Sequence, residues 1–308
     1  MGDPKGAGPG ATTELRLRAD LEVETASVGW RLTGLEVLGG GLEFLVFAAS
    51  VEGFGRVALR VPRVRWIHND NDPDMDPFEL LEQEAGLFRH VGAAGLPVPR
   101  VHLLHRGERC DFLATELVLH DGSAPPGREL GRLTRRLHGL PAPGLAPVVD
   151  TYDSIPETLA ERVVRRAAVV ERITGRELGL PGADELRDVL TWSGAERRLL
   201  HMDLRPENVL TRGGRIVALL DWSNALLGDP ALELARLSEY GGLDEEFRQG
   251  YGEPDPLARP PRATEIVYRL DSAVMLAVVF LSEAPDRELA AKQVPRVRQL
   301  AKELGDEL

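Results

Sequence analysis

His201-Met202-Asp203-Leu204-Arg205-Pro206-Glu207-Asn208-Val209-Leu210, followed after a short gap by Leu220-Asp221-Trp222, is the stretch on which the reading of this chain turns. It sets out an Asp, an Asn five residues on, and a second Asp after a turn. Phosphoryl transfer from a nucleotide needs that set. One carboxylate must accept the proton of the attacking hydroxyl while an amide oxygen and another carboxylate hold magnesium against the phosphates. The intervening Thr211-Arg212-Gly213-Gly214-Arg215 separates two apolar runs, so the segment predicts loop, strand, tight turn, strand, with Asn208 and Asp221 brought close together. Asp and Asn also favour turns for their own sake, and the alternative is that all three are only turn residues. Their order and context weigh against it.

Toward the N-terminus, residues 30–38 form a strand-like run ending in Gly39-Gly40-Gly41, residues 42–49 are apolar, and residues 56–61 alternate as a third strand does. A meander whose first turn is glycine-rich lets backbone amides approach nucleotide phosphates, where side chains would obstruct. A plain hairpin turn explains the three glycines as well. Residues 78–91 carry Leu80, Leu81, Ala85, Leu87, Phe88 and Val91 at helical spacing. Two more strands are predicted at 98–105 and 112–119, around a turn at Gly107. Beyond them the pattern turns helical: 128–138, 154–171, 183–190, a helix from Pro230 with Asp229 as its N-cap, 263–281, and 286–304, the last kinked or broken at Pro295.

The chain resembles the aminoglycoside and macrolide phosphotransferases, small-molecule kinases with a protein-kinase-like fold. The residues that carry the likeness are His201-Met202-Asp203 through Asn208, Leu220-Asp221-Trp222-Ser223, and Gly228-Asp229-Pro230-Ala231 leading into a helix. The family usually has Gly where Met202 stands, and often a Ser or second acid at the place of Ser223. The resemblance implies that Asp203 is the catalytic base, that Asn208 and Asp221 bind magnesium, and that Gly39, Gly40 and Gly41 lie over the nucleotide phosphates. It also makes the 78–91 helix the one whose Glu84 pairs with a basic group on the third strand, with Glu82 as the competing partner. Backbone groups from Glu116 to Val118, before a hinge at His120-Asp121-Gly122, would bond the purine.

Protein kinases use a lysine on the third strand, yet lysine occurs here only at Lys5, Lys292 and Lys302. Arg60, in Leu59-Arg60-Val61-Pro62-Arg63, resembles the arginine of macrolide phosphotransferases at this place. A guanidinium grips phosphate with two parallel bonds and still faces Glu84. Arg205, two residues after the presumed base, corresponds to a protein-kinase lysine that touches the transferred phosphoryl; an ordinary surface arginine is the alternative.

Composition narrows the function classes. Acids outnumber bases 49 to 37, a net charge of −12, which argues against a nucleic-acid binder. The acidity suits a cationic substrate or serves solubility alone. With Cys110 as the sole cysteine no intrachain disulfide is possible. No apolar run approaches the roughly 18 residues that cross a bilayer. Asn69-Asp70-Asn71-Asp72-Pro73-Asp74-Met75-Asp76-Pro77 superficially resembles a calcium loop, but its prolines break the spacing, so it reads as a solvated loop, a segment flanking the active-site cleft being the lesser alternative.

The resulting expectation is an α+β, bilobal, protein-kinase-like fold. It comprises a disordered leader (1–13), a small β-rich nucleotide-binding lobe (14–119) and a larger, mainly helical lobe (120–308). The expected activity is magnesium-dependent transfer of the γ-phosphate of ATP or GTP to a hydroxyl of a small molecule, an antibiotic or related natural product, in the cytoplasm. Two rivals are a metabolic kinase of a sugar, amino alcohol or amino acid, and a non-catalytic kinase-like binding module. Oligomeric state stays open.

Overall fold

The computed structural model describes residues 9–71, 74–144, 148 and 154–308. Residues 1–8 of the expected leader and residues 72–73 of the acidic loop lie outside the described residues. From Pro9 the leader expectation is corrected: α1 (Pro9–Ser27) is a helix. It forms because Leu17 and Leu21, one turn apart and fully buried, pack on the sheet, and the next turn brings Glu24 against His105 Nε2 at 2.9 Å and the Arg109 amide at 2.6 Å. That is tertiary docking, with little apolar periodicity to announce it.

Strands β1 (Leu32–Gly40), β2 (Phe44–Val51) and β3 (Gly55–Pro62) form the expected meander. Helix α2 (Pro77–Ala93), capped by Asp76 on the Phe78 amide, follows, then β4 (Val101–His105) and β5 (Phe112–Glu116). The five strands pair antiparallel in the order β1-β2-β3-β5-β4. Period-2 alternation divides their side chains between two faces. Leu45, Phe47, Val57, Leu59 and Phe112 pack toward α1, while Phe44 and Leu113 join α2's Leu81, Ala85 and Phe88 on the other side.

The remainder is mostly helical: α3 (Gly127–His138), α4 (Ile155–Thr174), α5 (Ala183–Leu190), α6 (Pro230–Glu239), α7 (Glu245–Tyr251), α8 (Arg262–Val278) and α9 (Arg287–Glu307). Asp229 does cap α6, accepting the Ala231 amide at 2.8 Å. Of the kink or break expected at Pro295, the break is corrected, since α9 is continuous through it. An interior proline costs a helix about 3 kcal/mol, and Val297, Leu300 and Leu304, wholly buried against α8, outweigh that loss. Helix α7, whose apolar residues are Phe247 and Tyr251, was not expected; it packs on α3, where Gly131 and Gly250 leave room for the neighbouring backbone.

Between α5 and α6 run β6 (Arg198–Leu200), the hairpin of β7 (Val209–Arg212) and β8 (Arg215–Leu219), and β9 (Leu226–Gly228), which pairs with β6. The hairpin turns through Gly213 and Gly214, both at positive φ (58° and 72°), the conformation of the turn that matches strand twist. The Leu220 amide donates to the Asn208 carbonyl at 2.8 Å, so the two ends of the hairpin meet as the spacing predicts.

Candidate active site

The loop after β6 is built to hold Asp203. His201 is wholly buried; its Nε2–H donates to the Leu220 carbonyl at 3.0 Å and its Nδ1 accepts the Asp203 amide at 3.2 Å. Burial pushes the imidazole pKa below its ordinary value, although Glu233, Asp203 and Asp221 pull the other way, so the ring stays neutral with both nitrogens in use. Met202 adopts φ 65°, a left-handed conformation that non-glycine residues rarely take. That explains why glycine is favoured there. In this chain the strain is balanced by a buried side chain among Leu200, Leu226 and Leu232, and by the Met202 amide donating to Glu233 Oε1 at 2.5 Å. The other Glu233 oxygen accepts from His138 Nε2 at 2.7 Å, and His138 Nδ1 accepts the Tyr251 hydroxyl at 2.8 Å.

Asp203 itself is nearly buried and fully engaged. Arg205 grips both carboxylate oxygens, Nε to Oδ1 at 2.7 Å and Nη2 to Oδ2 at 2.9 Å, and Asn208 Nδ2 reaches the Asp203 carbonyl at 3.0 Å and Oδ2 at 2.8 Å. The amide nitrogen of Asn208 is thereby committed to Asp203, and its Oδ1 accepts nothing among the described residues.

Across the cleft, Arg60 on β3 is the hub. Its Nη1 donates to Glu84 Oε1 at 2.9 Å, its Nη2 to Asp221 Oδ1 at 2.8 Å and to Ser223 Oγ at 3.0 Å, and its guanidinium lies 4.4 Å over the Phe44 ring. Glu84 Oε1 also accepts the Asp221 amide at 3.1 Å. Glu82, the competing partner in the sequence, is exposed. Burial pushes the Glu84 carboxyl upward despite Arg60; for Asp221 burial acts the same way, but Arg60 and the Ser223 hydroxyl prevail and bring it down to about 2. Asp221 also stands at φ 60°, tolerated because Asp is among the residues that visit this region. Its Oδ1 takes Arg60 and Ser223, so Oδ2 is open.

Asn208 Oδ1 and Asp221 Oδ2 are hard oxygen donors left without hydrogen bonds at adjacent ends of one hairpin. Among the described residues no three His, Cys, Asp or Glu side chains gather as a self-sufficient metal cage. Two protein oxygens, with substrate phosphates and water completing the shell, is how magnesium is commonly held, so the residues fit that ion.

Gly41, Arg60, Asp203, Arg205 and Asp221 line one cleft of about 430 Å³, with a wall from Met275 to Phe280, while Asn208 is not among its lining residues and adjoins it through Asp203. That wall includes a five-residue π-helical continuation of α8, Val279–Glu283. Of the three glycines, Gly41 lines the cleft, and Gly39 and Gly41 have open space where a side chain would stand. Gly40 has a structural reason of its own, because a Cβ there would meet the Phe44 carbonyl at 2.5 Å. Glu84 lies behind Arg60. Glu116 and Val118 do not line this cleft; the Glu116 amide is taken by the Arg100 carbonyl at 2.9 Å, while Val118 lies just beyond β5 with its amide unbonded among the described residues. Sequence reasoning missed Arg166, Arg236 and Tyr240 on the helical floor. Their signal was an arginine inside an otherwise apolar helical face, as in Leu232-Glu233-Leu234-Ala235-Arg236-Leu237.

A model of the phosphotransferase enzyme family matches residues 34–262. Hygromycin-B 4-O-kinase of Escherichia coli is 40% identical over 58 residues, a stretch that spans 18% of this chain and 17% of that enzyme. Among solved structures, aminoglycoside phosphotransferase APH(4)-Ia superposes with a TM-score of 0.64 at 16% identity, over 94% of this chain and 98% of that one. A thermostable mutant of the same enzyme, in ternary complex with AMP-PNP and hygromycin B, gives 0.62 at 18% identity, over 91% and 98%. A candidate fructosamine-3-kinase from Haemophilus somnus 129PT gives 0.65 at 15% identity, over 94% and 97%. At such identities the likeness is one of fold.

Proposed function

Because this chain belongs to the phosphotransferase enzyme family, we propose that it transfers the γ-phosphate of ATP or GTP, with magnesium, to a hydroxyl of a small molecule, an antibiotic or related natural product, inactivating it. The observation that carries the reading is the convergence of Asp203, Asp221 and Arg60 on one cleft, with Asn208 hydrogen-bonded to Asp203 beside it. Asp203 orients the acceptor hydroxyl and takes its proton once Arg205 releases the carboxylate. Asn208 Oδ1 and Asp221 Oδ2 would hold the metal. Bound there, magnesium would neutralise charge on the β- and γ-phosphates and align them. Arg60 steadies those phosphates from the sheet side, with Glu84 fixing its direction. Arg205, freed from Asp203, reaches the transferred phosphoryl. The backbone amide of Val118 receives the purine.

The hygromycin-B 4-O-kinase match and the AMP-PNP and hygromycin B complex of a fold relative support a nucleotide donor and an antibiotic acceptor. The candidate fructosamine-3-kinase among the fold relatives, together with arginines on the cleft floor, favours as second reading a metabolic small-molecule kinase. The intact Asp203, Asn208 and Asp221 argue against a non-catalytic binding module. The test is phosphorus NMR of protein, magnesium and ATP or GTP with a panel of hydroxyl compounds that includes hygromycin B. The expected result is a new phosphomonoester formed in step with nucleoside diphosphate, and lost in Asp203→Ala. No phosphomonoester with any acceptor, together with no magnesium-dependent nucleotide binding by calorimetry, would overturn the reading.

A further inference from the structure

Arg162, Arg166 and Arg236 are buried with Asp271 at the helical floor of the cleft. Asp271 on α8 is fully buried and is held bidentately by Arg162, Nε to Oδ1 at 2.7 Å and Nη2 to Oδ2 at 2.6 Å, with Arg166 Nη1 at 3.4 Å from Oδ1. Arg236 on α6 stands beside them, 4% exposed and lining the cleft. Its Nε donates to the Tyr240 hydroxyl at 3.0 Å. Among the described residues it has no carboxylate within 4.0 Å, and its two terminal nitrogens make no hydrogen bond. Burial works against its charge, but Tyr240 beside it, with Asp203 and Asp271 further away, outweighs that effect and keeps it charged. Asp203 is already matched by Arg205.

A guanidinium taken out of water without a counter-ion is expensive, and folds retain one where a ligand supplies the missing charge. The planar pair of free nitrogens suits a carboxylate or phosphate, which accepts two parallel bonds. The other acids of the cleft are engaged elsewhere or lie at its far side. Glu283 accepts the Asn71 amide at 2.8 Å and its side-chain Nδ2 at 3.0 Å, Asp221 is held by Arg60, and Glu43 adjoins the glycine turn. The donor phosphates have their own cation in Arg60 on the sheet side, whereas Arg236 and Arg166 come from α6 and α4, next to the Met275–Phe280 wall.

Resting on the kinase reading and narrowing its acceptor, we propose that Arg236, seconded by Arg166, binds an anionic group of the acceptor, so that the molecule phosphorylated is a hydroxyl compound bearing a carboxylate or phosphate and not a polycation. The shared chemistry with the donor's own phosphoryl group is separated by the kinetics. Matched acceptors such as glycerol, glycerate and glycerol 3-phosphate, homologous hydroxy acids with their amides, and hygromycin B are assayed for phosphoryl transfer. Wild-type protein is expected to favour the anionic member of each pair by at least tenfold in kcat/KM. Arg236→Gln should erase most of that preference through acceptor KM, with nucleotide KM unchanged, and Arg236→Lys should restore part of it. Preference for neutral or cationic acceptors in the wild type overturns the proposal while leaving the kinase reading intact. So does an Arg236→Gln variant that raises nucleotide KM with acceptor preference unaltered, because the anion met by Arg236 is then the donor's. Should Arg236→Gln fail to fold, the wild-type charge preference decides alone.

Discussion

Arg60→Met tests the sheet-side half of the site. In the folded protein Arg60 is the cation for two carboxylates, and its side chain is 16% exposed, against 3% for Glu84 and 34% for Asp221. Removing one partner of a buried ion pair typically costs about 3–5 kcal/mol, because the other charge is left uncompensated. Glu84, already pushed upward by burial, will take up a proton once Arg60 is gone, so the lower end, about 3 kcal/mol, is expected. Asp221 contributes less because it is partly solvated. At roughly 2–4 °C per kcal/mol for chains of this size, Tm should fall by about 6–12 °C. Glu84→Gln should cost about 1–2 kcal/mol, since Arg60 keeps Asp221 and Ser223. In Arg60→Met/Glu84→Gln there is no carboxyl left to protonate at a cost, so the double loss should be smaller than the sum of the single losses by about 1–3 kcal/mol. Urea unfolding of the four proteins gives the cycle, and nucleotide kinetics on the same samples should give a large rise in KM and a severe drop in kcat/KM for Arg60→Met, milder for Glu84→Gln. Additive losses within about 0.5 kcal/mol, or wild-type nucleotide KM in Arg60→Met, refute the pairing and the phosphate role together.

Asp203→Ala should lower kcat by roughly two to four orders of magnitude with nucleotide affinity little changed, and near-normal turnover would remove it as the base. Asp221→Asn preserves the left-handed backbone, because Asn also tolerates it, and should abolish turnover and weaken magnesium-dependent nucleotide binding in calorimetry; retained affinity would reduce Asp221 to a turn residue. For His201, burial holds the folded pKa below the ordinary 6.5, so the unfolded chain takes up its proton first as pH falls. Its stabilising contribution is complete above pH 6.5 and declines below it. Urea midpoints of the wild type should therefore drop more steeply between pH 7 and pH 5 than those of His201→Gln, and parallel curves would show that the ring does not govern acid stability.

What the sequence disclosed divides by range of interaction. The hairpin after Asn208 was legible because two positive-φ glycines and two apolar runs specify it locally, and α6 because Asp229 and Pro230 mark its start. Helix α1 was not, since Leu17 and Leu21 acquire meaning only against the sheet they cover and Glu24 only against His105. The continuity of α9 through Pro295 was hidden for the same reason: the packing of Val297 and Leu300 on α8 is decided at long range. At the site, Asp203, Asn208 and Asp221 lie close in sequence and declare themselves by order. Glu84 is preferred to Glu82 in the sequence by resemblance alone, and its place on the buried face of α2 emerges only in the fold, just as Arg236 shows its lack of a counter-ion only when α4, α6 and α8 are assembled around Asp271.

The chain of bonds from the Tyr251 hydroxyl through His138 and Glu233 to the Met202 amide has a consequence for how this protein opens. Every link is at least nine-tenths buried, and Glu233 belongs to the first turn of α6, whose residues from Pro230 to Leu237 are all buried. No local fluctuation of the loop can expose the Met202 N–H to solvent without drawing on the helical core. In hydrogen–deuterium exchange that amide should belong with the slowest class, exchanging through global unfolding, while amides at Gly39 and Gly41 exchange through small openings. The loop bearing Asp203 thus has the lifetime of the core, and thermal inactivation should coincide with unfolding of the helical half and not precede it.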